Sequence, residues 1–146
     1  MEPDNILQPL SCLGLESLDR RPGGFYLHQS PVQLAAMAGW VLDTNQLSFR
    51  FADRSGAISK AYTTSGPPPV GKFVEIVGTI RESVKYGREI FISSVTVHEK
   101  ISIRKELEIY NRTREIERFD VWIEEKRIYS LTQSFAATMD QSTSFN

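Results

Sequence analysis

The chain of 146 residues has room for one domain with an added element, because a single hydrophobic core usually takes about 100 to 150 residues. With 40% apolar and 24% charged residues, the composition excludes collagen-like, disulfide-scaffold and wholly disordered proteins. Seventeen Lys and Arg against eighteen Asp and Glu give a net charge of −1. This balance excludes a histone-like polycation and limits any nucleic-acid binding to a local patch.

Cysteine and histidine are too few to build a disulfide or a metal cluster. Cys12 has no second cysteine to pair with, and His28 and His98 cannot hold a metal by themselves. The first ten residues, MEPDNILQPL, resemble neither a secretory signal nor a transit peptide, and no run of 18 apolar residues could span a membrane. We therefore expect a protein of the cytosol or nucleus that uses no metal and no cofactor and contacts no membrane.

Charge and composition divide the chain into regions. Residues 1–31 carry two basic and four acidic side chains, residues 32–97 carry seven and five, and residues 98–146 carry eight and nine. Only the middle region is net positive, by two charges. We interpret residues 1–30 as an N-terminal arm, residues 31–100 as the folded domain, and residues 132–146, which are rich in Ser, Thr and Gln, as a disordered tail.

The middle region alternates apolar and polar residues as β-strands do, with Asp, Asn, Gly and Pro clusters between the stretches. The predicted strands are Val32–Leu42, Leu47–Phe51, Ala57–Thr63, Lys72–Arg81 and Glu89–Val97.

Five strands of this spacing cannot bury both faces of their sheet unless the sheet closes on itself or meets a second layer. We therefore predict a mainly β fold, a five-stranded Greek-key barrel, in which Gly39 and Gly78 let two long strands bend. Phe49, Phe51 and Phe73 are predicted to lie in its core.

A helical period replaces the strand period over residues 101–131. One apolar face holds Ile103, Leu107 and Tyr110, which we expect to cover the open end of the barrel. Ile109 and Ile116 lie on the roughly opposite side. Such a helix either meets two different surfaces or breaks into two near Asn111.

Three segments of the chain resemble an OB-fold family that includes the middle subunit of replication protein A and the Stn subunit of the telomere-capping CST complex. They are SPVQLAAMAGWVLD, LSFRFADRSGAISKAY and PPPVGKFVEIVGTIRES, and with the helix the resemblance runs from Pro31 to Phe119. Two departures concern loops. Ala52-Asp53 replaces the family's paired acids, and SGPPPVG replaces a connection that often holds a helix. The family's winged-helix domain does not follow, so we expect a short variant or an N-terminal fragment.

The resemblance implies a non-enzymatic subunit of a heteromeric complex that binds single-stranded DNA in the nucleus. We favour a telomeric, CST-type role, with the middle subunit of replication protein A as runner-up. The implied partners are a small OB-fold subunit, Ten-like or like the small subunit of replication protein A, a larger OB-fold subunit, and single-stranded DNA, of which telomeric G-rich DNA is one candidate. An interaction scaffold that binds no nucleic acid is the alternative from another class.

Single-strand binding needs flat side chains for stacking and cations that follow phosphates. Alternation and the loop before the fifth strand supply the candidates Trp40, Arg50, Lys60, Tyr62, Arg81, Lys85, Tyr86 and Arg88. Trp40 also fits a core or partner-facing position, and Arg50, Lys60 and Arg81 also fit an ordinary solvated strand face.

The helix has more apolar side chains than one surface can bury. The candidate partner-binding residues are Ile109, Ile116, Phe119, Trp122 and Ile123. A self-folded helical hairpin is the alternative. Catalysis is not indicated, because the sequence has no Gly-rich phosphate loop and neither histidine has an evident catalytic neighbour.

Overall fold

The computed structural model describes residues 7–84 and 87–117. The strands are β1 (Leu7–Pro9), β2 (Asp19–Arg21), β3 (Gly24–Leu27), β4 (Ser30–Val32), β5 (Leu34–Thr44), β6 (Ser48–Ala52), β7 (Ile58–Tyr62), β8 (Phe73–Ser83) and β9 (Gly87–His98). The helices are α1 (Cys12–Glu16) and α2 (103–117). Neither of these helices is long and apolar enough to cross a membrane, within the residues described.

Five strands close into a barrel, as predicted. β5 pairs antiparallel with β6 and with β8, β6 pairs with β7, and β8 pairs with β9. A parallel pairing of β7 with β9 completes the ring. Each strand predicted from the alternation is present, with its ends shifted by one or two residues.

Two glycines make the barrel strands approach closely. A Cβ atom on Gly78 would stand 2.1 Å from the carbonyl oxygen of Phe91, and one on Gly39 would stand 2.7 Å from that of Ala52. Backbone atoms cannot yield at such distances, so only glycine fits. β5 can therefore pair with β8 along Leu34–Trp40 and turn to pair with β6.

The barrel interior is filled by inward-facing residues of every strand. Phe49, Phe51 and Phe73 are buried, which confirms their predicted place in the core. The other barrel residues of the core are Ala35, Met37, Val41, Ala61, Val74, Ile76 and Ile90. Burial of such side chains is the main favourable contribution to folding.

The segment interpreted as an N-terminal arm is packed from residue 7 onward. β1 pairs parallel with β5, and Leu10, Cys12 and Leu15 are almost completely buried in the barrel core. The expectation of an arm over residues 1–30 is corrected for residues 7–30. A helix of five residues is too short to show a period, so the sequence pattern could not indicate it.

A small second sheet follows α1. β3 pairs antiparallel with β2 and with β4, and its residues Phe25 and Leu27 join the same core. The position of this second sheet matters for the candidate site described below, because the sheet contacts the hairpin between β8 and β9.

α2 is held against the barrel by buried carboxylates and by Tyr110, which lines a cavity with Leu10 and Phe73, but not by Ile103 of the predicted apolar face. Glu106 and Glu117 are buried, whereas Ile103 is 71% exposed. Eleven residues make three helical turns, so the two acids lie on one side of α2. The expectation that Ile103 helps to cover the barrel is therefore corrected. Residues 118–146, with the predicted end of the helix and the tail, lie outside the described residues.

Candidate nucleic-acid interface

Two aromatic side chains stack on the outer side of the barrel. The parallel register places Tyr62 of β7 opposite Phe91 of β9. Their ring centroids are 5.5 Å apart and their planes differ by 17°. Both residues are half-buried, so the pair is supported from below and partly open. Tyr62 was a candidate from the sequence and Phe91 was not.

Two cations lie against this aromatic pair. The guanidinium carbon of Arg81 is 4.0 Å from the centroid of Phe91 and 5.9 Å from that of Tyr62. The Nζ of Lys60 is 5.0 Å from the centroid of Tyr62. Cation–π attraction contributes to both positions. We call Lys60, Tyr62, Arg81 and Phe91 the stacking patch.

A buried carboxylate adjoins the stacking patch. Glu89 is opposite Lys60 in the β7–β9 register and opposite Arg81 in the β8–β9 register. It is 2% exposed, and its Oε2 is 4.0 Å from the Nζ of Lys60. This Oε2 accepts no hydrogen bond.

Arg50 extends the row of cations onto β6, opposite Lys60. Its guanidinium is held by Asp43, with 3.0 and 3.1 Å from Nε to the two carboxylate oxygens. The hydrogen bonds from Arg50 lower the pKa of Asp43, and the same contact raises the pKa of Arg50. Arg50 is therefore a cation whose charge is already largely balanced.

Arg88 is placed elsewhere than predicted. Its Nη1 donates to the carbonyl oxygens of Leu15, at 2.9 Å, and Glu16, at 3.2 Å. Its guanidinium carbon is 5.0 Å from the ring of Phe25. Arg88 ties the base of the β8–β9 hairpin to α1 and to the second sheet, so it supports the hairpin and does not join the stacking patch.

Trp40 is also apart from the stacking patch. Its Nε1 donates to Oε1 of Glu106 at 2.9 Å, and its ring meets the edge of Phe73 at 5.2 Å. The other oxygen of Glu106 accepts from Nε of Arg54. Trp40 thus belongs to the contact between β5 and α2, the alternative that the sequence left open. The candidates Lys85 and Tyr86 lie outside the described residues.

The partner-binding candidates are partly accounted for. Ile109 and Ile116 are half-buried and line a groove between α2 and the outer face of β5, β8 and β9. The groove has a volume of about 470 Å³, and its floor includes Ala36, Val77 and Thr96. Phe119, Trp122 and Ile123 lie beyond the described residues.

Cys12 and His98 are held in structural contacts. Cys12 is fully buried, and burial, with the nearby charge of Asp53, raises the pKa of its thiol to about 12. A thiol that stays protonated is a poor nucleophile. His98 contacts Glu75, with 2.6 Å between Nε2 and Oε2. Across residues 7–84 and 87–117, no three Asp, Glu, His or Cys side chains group as metal ligands.

Comparison by sequence found no matching family model and no similar curated protein. Comparison by structure did find similar proteins. A chain of the S. pombe Stn1–Ten1 complex superposes with a TM-score of 0.69 at 12% identity, covering 82% of this chain and 97% of that one. A chain of a replication protein A heterotrimer bound to single-stranded DNA superposes with a TM-score of 0.58 at 13% identity, covering 73% and 90%. The predicted resemblance to OB-fold subunits of these two kinds is confirmed, and the chain has an OB-fold with a C-terminal helix.

Proposed function

We propose that this protein is a non-enzymatic OB-fold subunit of a heteromeric complex that binds single-stranded DNA. The observation that carries the proposal is the stacking patch, in which Tyr62 and Phe91 lie parallel with Arg81 and Lys60 against their rings. Stacking surfaces combined with cations are what single strands require, because every base offers a flat face and every nucleotide a phosphate.

Binding would exchange one set of contacts for another. A base that stacks on Tyr62 or Phe91 takes the place of the cation now lying there. Arg81 and Lys60 have long side chains and can turn outward to the phosphates next to the stacked base. The cation–π contacts that are lost are worth about 0.5 to 1 kcal/mol at exposed sites, which charge-assisted hydrogen bonds to phosphate can replace.

The telomeric, CST-type role is the finer part of the proposal. It is supported by the larger share of the chain that superposes on the Stn1–Ten1 structure, 82% against 73% for the replication protein A heterotrimer. A nuclear location and a larger OB-fold subunit as second partner follow from that role. The middle subunit of a replication protein A-type complex is the runner-up.

We assign the contact with a small OB-fold subunit to the groove beside α2. Ile109 and Ile116 contribute apolar surface there, and the small side chains Ala36 and Ala38 make a flat floor against which a helix can pack. Both similar structures come from complexes of several subunits. Co-expression with candidate small subunits tests this assignment. Ile116→Glu should abolish copurification, and Glu108→Ala, on the exposed side of α2, should leave it intact.

A scaffold without DNA affinity remains the second candidate, and two contacts favour it. Asp43 balances Arg50, and Glu89 lies beside Lys60, so two of the three described cations on this face have an acidic neighbour. Together with the net charge of −1, this predicts weak binding by the chain alone.

Titration of labelled single-stranded DNA at low salt separates the two functions. The chain, alone and with its partner, is compared with Tyr62→Ala and with Tyr26→Ala. Tyr26 is a matched control, because it also carries a cation on its ring, with the guanidinium carbon of Arg21 at 4.6 Å, but lies in the second sheet. We expect Tyr62→Ala to weaken binding about tenfold and Tyr26→Ala to leave it unchanged. Equal, negligible binding by all three proteins would establish the scaffold instead.

A further inference from the structure

We infer that Glu89 reads the base that stacks on Tyr62 and Phe91, by accepting a hydrogen bond from an amino group on its Watson–Crick edge, and that guanine is the preferred base. The inference rests on the proposed single-strand binding and adds a specificity-determining residue to it. Stacking and phosphate contacts alone would leave all four bases nearly equivalent.

The position of Glu89 suits this role. It lies two residues before Phe91 on β9, so the two side chains leave the strand on the same face. Its neighbours across the sheet are Lys60 on one side and Arg81 on the other, and both belong to the stacking patch. The carboxylate therefore lies at the edge of the platform on which a base would lie.

The unfilled hydrogen bond of Glu89 distinguishes it from the other buried acids. Glu106 accepts from Trp40 and Arg54, one at each oxygen. Glu117 likewise uses both oxygens in hydrogen bonds. Among the side chains that the structure describes, Glu89 is the buried carboxylate with an oxygen that accepts no hydrogen bond. A buried acceptor left without a hydrogen bond destabilises the fold, so it calls for an explanation beyond folding.

The neighbouring cations do not supply the missing bond. The Nζ of Lys60 is 4.0 Å from Oε2, which is beyond hydrogen-bond distance. The guanidinium of Arg81 lies over the ring of Phe91. When a base takes the place of these cations on the rings, Lys60 turns outward and the edge of the base comes within reach of Oε2.

The chemistry of the four bases decides which edge fits. A carboxylate is an acceptor, so it attracts amino and imino groups and repels carbonyl oxygens. Guanine presents two adjacent donors, N1–H and the N2 amino group. Cytosine and adenine present one amino group each. Thymine presents one imino group between two carbonyl oxygens, and we expect it to bind most weakly.

The test compares four thymidine oligonucleotides. Three of them carry a single central guanine, hypoxanthine or cytosine, and the fourth is unsubstituted. Hypoxanthine differs from guanine only by the missing N2 amino group, so this comparison isolates the contact. Binding is measured with the full chain, in its complex where the chain alone binds too weakly. The variants are Glu89→Gln and the control Glu82→Gln, which removes the same charge from a half-exposed position on the neighbouring strand.

We expect the wild-type chain to bind the guanine oligonucleotide roughly tenfold more tightly than the hypoxanthine one, the size of one good base contact. Glu89→Gln should reduce this ratio below about twofold, and Glu82→Gln should preserve it. The wild-type ratio needs no variant, so the test holds even where Glu89→Gln folds poorly.

Two results would overturn the inference and leave the proposed function standing. One is equal binding of all oligonucleotides by the wild-type chain with the Tyr62→Ala effect intact. The other is a Glu89→Gln protein that binds every oligonucleotide more tightly by the same factor, which would make Glu89 only the counter-ion of Lys60. Absence of any binding, with Tyr62→Ala silent, would remove both the inference and the proposed function.

Discussion

Charged and aromatic side chains meet on two sides of this barrel. Their hydrogen bonds are complete on one side and incomplete on the other. On the side of α2, Trp40 and Arg54 are bonded to Glu106, and Ser11 and Arg114 are bonded to Glu117. On the side of β7 and β9, the cations of the stacking patch lie against rings, and Glu89 has an unfilled bond.

The difference separates contacts that stabilise the fold from contacts that a ligand could replace. Buried polar groups that bond to one another stabilise a single arrangement, and removing one leaves its partner unsatisfied. A cation that lies against a ring face, as Arg81 does on Phe91, can be exchanged for another contact at little cost. The same residue types, Arg, Glu and an aromatic, therefore predict different roles according to whether their bonds are complete.

The largest expected effect is on stability at the side of α2. Glu117→Ala removes the carboxylate that accepts from the backbone N–H of Ser11 at 2.7 Å, and leaves that buried donor without a partner. We expect a loss of about 2 to 3 kcal/mol in the free energy of unfolding, measured by urea denaturation. Glu108→Ala, whose exposed carboxylate pairs with Arg104, should change it by less than about 0.5 kcal/mol. A similar loss in both variants would refute the distinction between the two kinds of contact.

The next effect is on binding at the stacking patch. Phe91→Leu keeps an apolar side chain of similar volume but removes the flat ring beside Tyr62. We expect affinity for single-stranded DNA to fall about fivefold to tenfold, while the urea midpoint moves little. Fluorescence anisotropy and urea denaturation on the same sample measure both quantities. A drop in stability without a change in affinity would place Phe91 with the structural contacts.

Cys12 gives a smaller effect that depends on pH. Its pKa is raised from 9.0 to about 12 in the folded state, so the unfolded chain loses its proton first as pH rises. The thiol's contribution to stability is complete below pH 9 and is lost between pH 9 and 12. Between pH 8 and 10 we expect the wild-type chain to lose about 1 kcal/mol more than Cys12→Ala does. Equal losses in the two proteins would show that the thiol ionises as easily folded as unfolded.

The smallest effect is the salt dependence of binding. Arg81→Gln removes one cation from the stacking patch, so the slope of log affinity against log salt should become shallower by about one. Affinity at low salt should fall by about threefold. Arg104→Gln removes a charge from the exposed side of α2 and serves as the control. An equal change in both slopes would mean that the overall charge, and not the patch, attracts the DNA.

The barrel could be predicted from the sequence because alternation and turn residues are local signals. The bend at Gly78 was predicted as well, although its cause, contact with the backbone of Phe91, involves a residue on another strand. Phe91 itself was missed as a stacking residue. Its approach to Tyr62 depends on the parallel β7–β9 register, and no local pattern records which residues a closing barrel brings together.

Two candidate residues have partners in the structure that the sequence did not indicate. Trp40 and Arg88 became candidates for DNA contact by strand alternation and loop position, and the groups that hold them, Glu106 and the carbonyl oxygens ending α1, look like surface charge and flexible chain in the sequence. A glutamate in a helix rich in Arg and Glu gives no sign that it will be buried. Asp53 is a similar case, since the single acid kept in its turn also accepts from the backbone N–H of Cys12.

The hydrogen bond from Ser11 to Glu117 spans 106 residues, and it has a consequence for the order in which the protein can be completed during translation. The ribosome releases residues 7–18 first, and the carboxylate that satisfies Ser11 emerges last among the described residues. The nascent chain must therefore keep the backbone N–H of Ser11 without its carboxylate partner until the helix is synthesised. Because an early segment is completed by a late one, we expect the protein to depend on chaperones during its synthesis. We also expect its yield in cells to change when translation is slowed before α2.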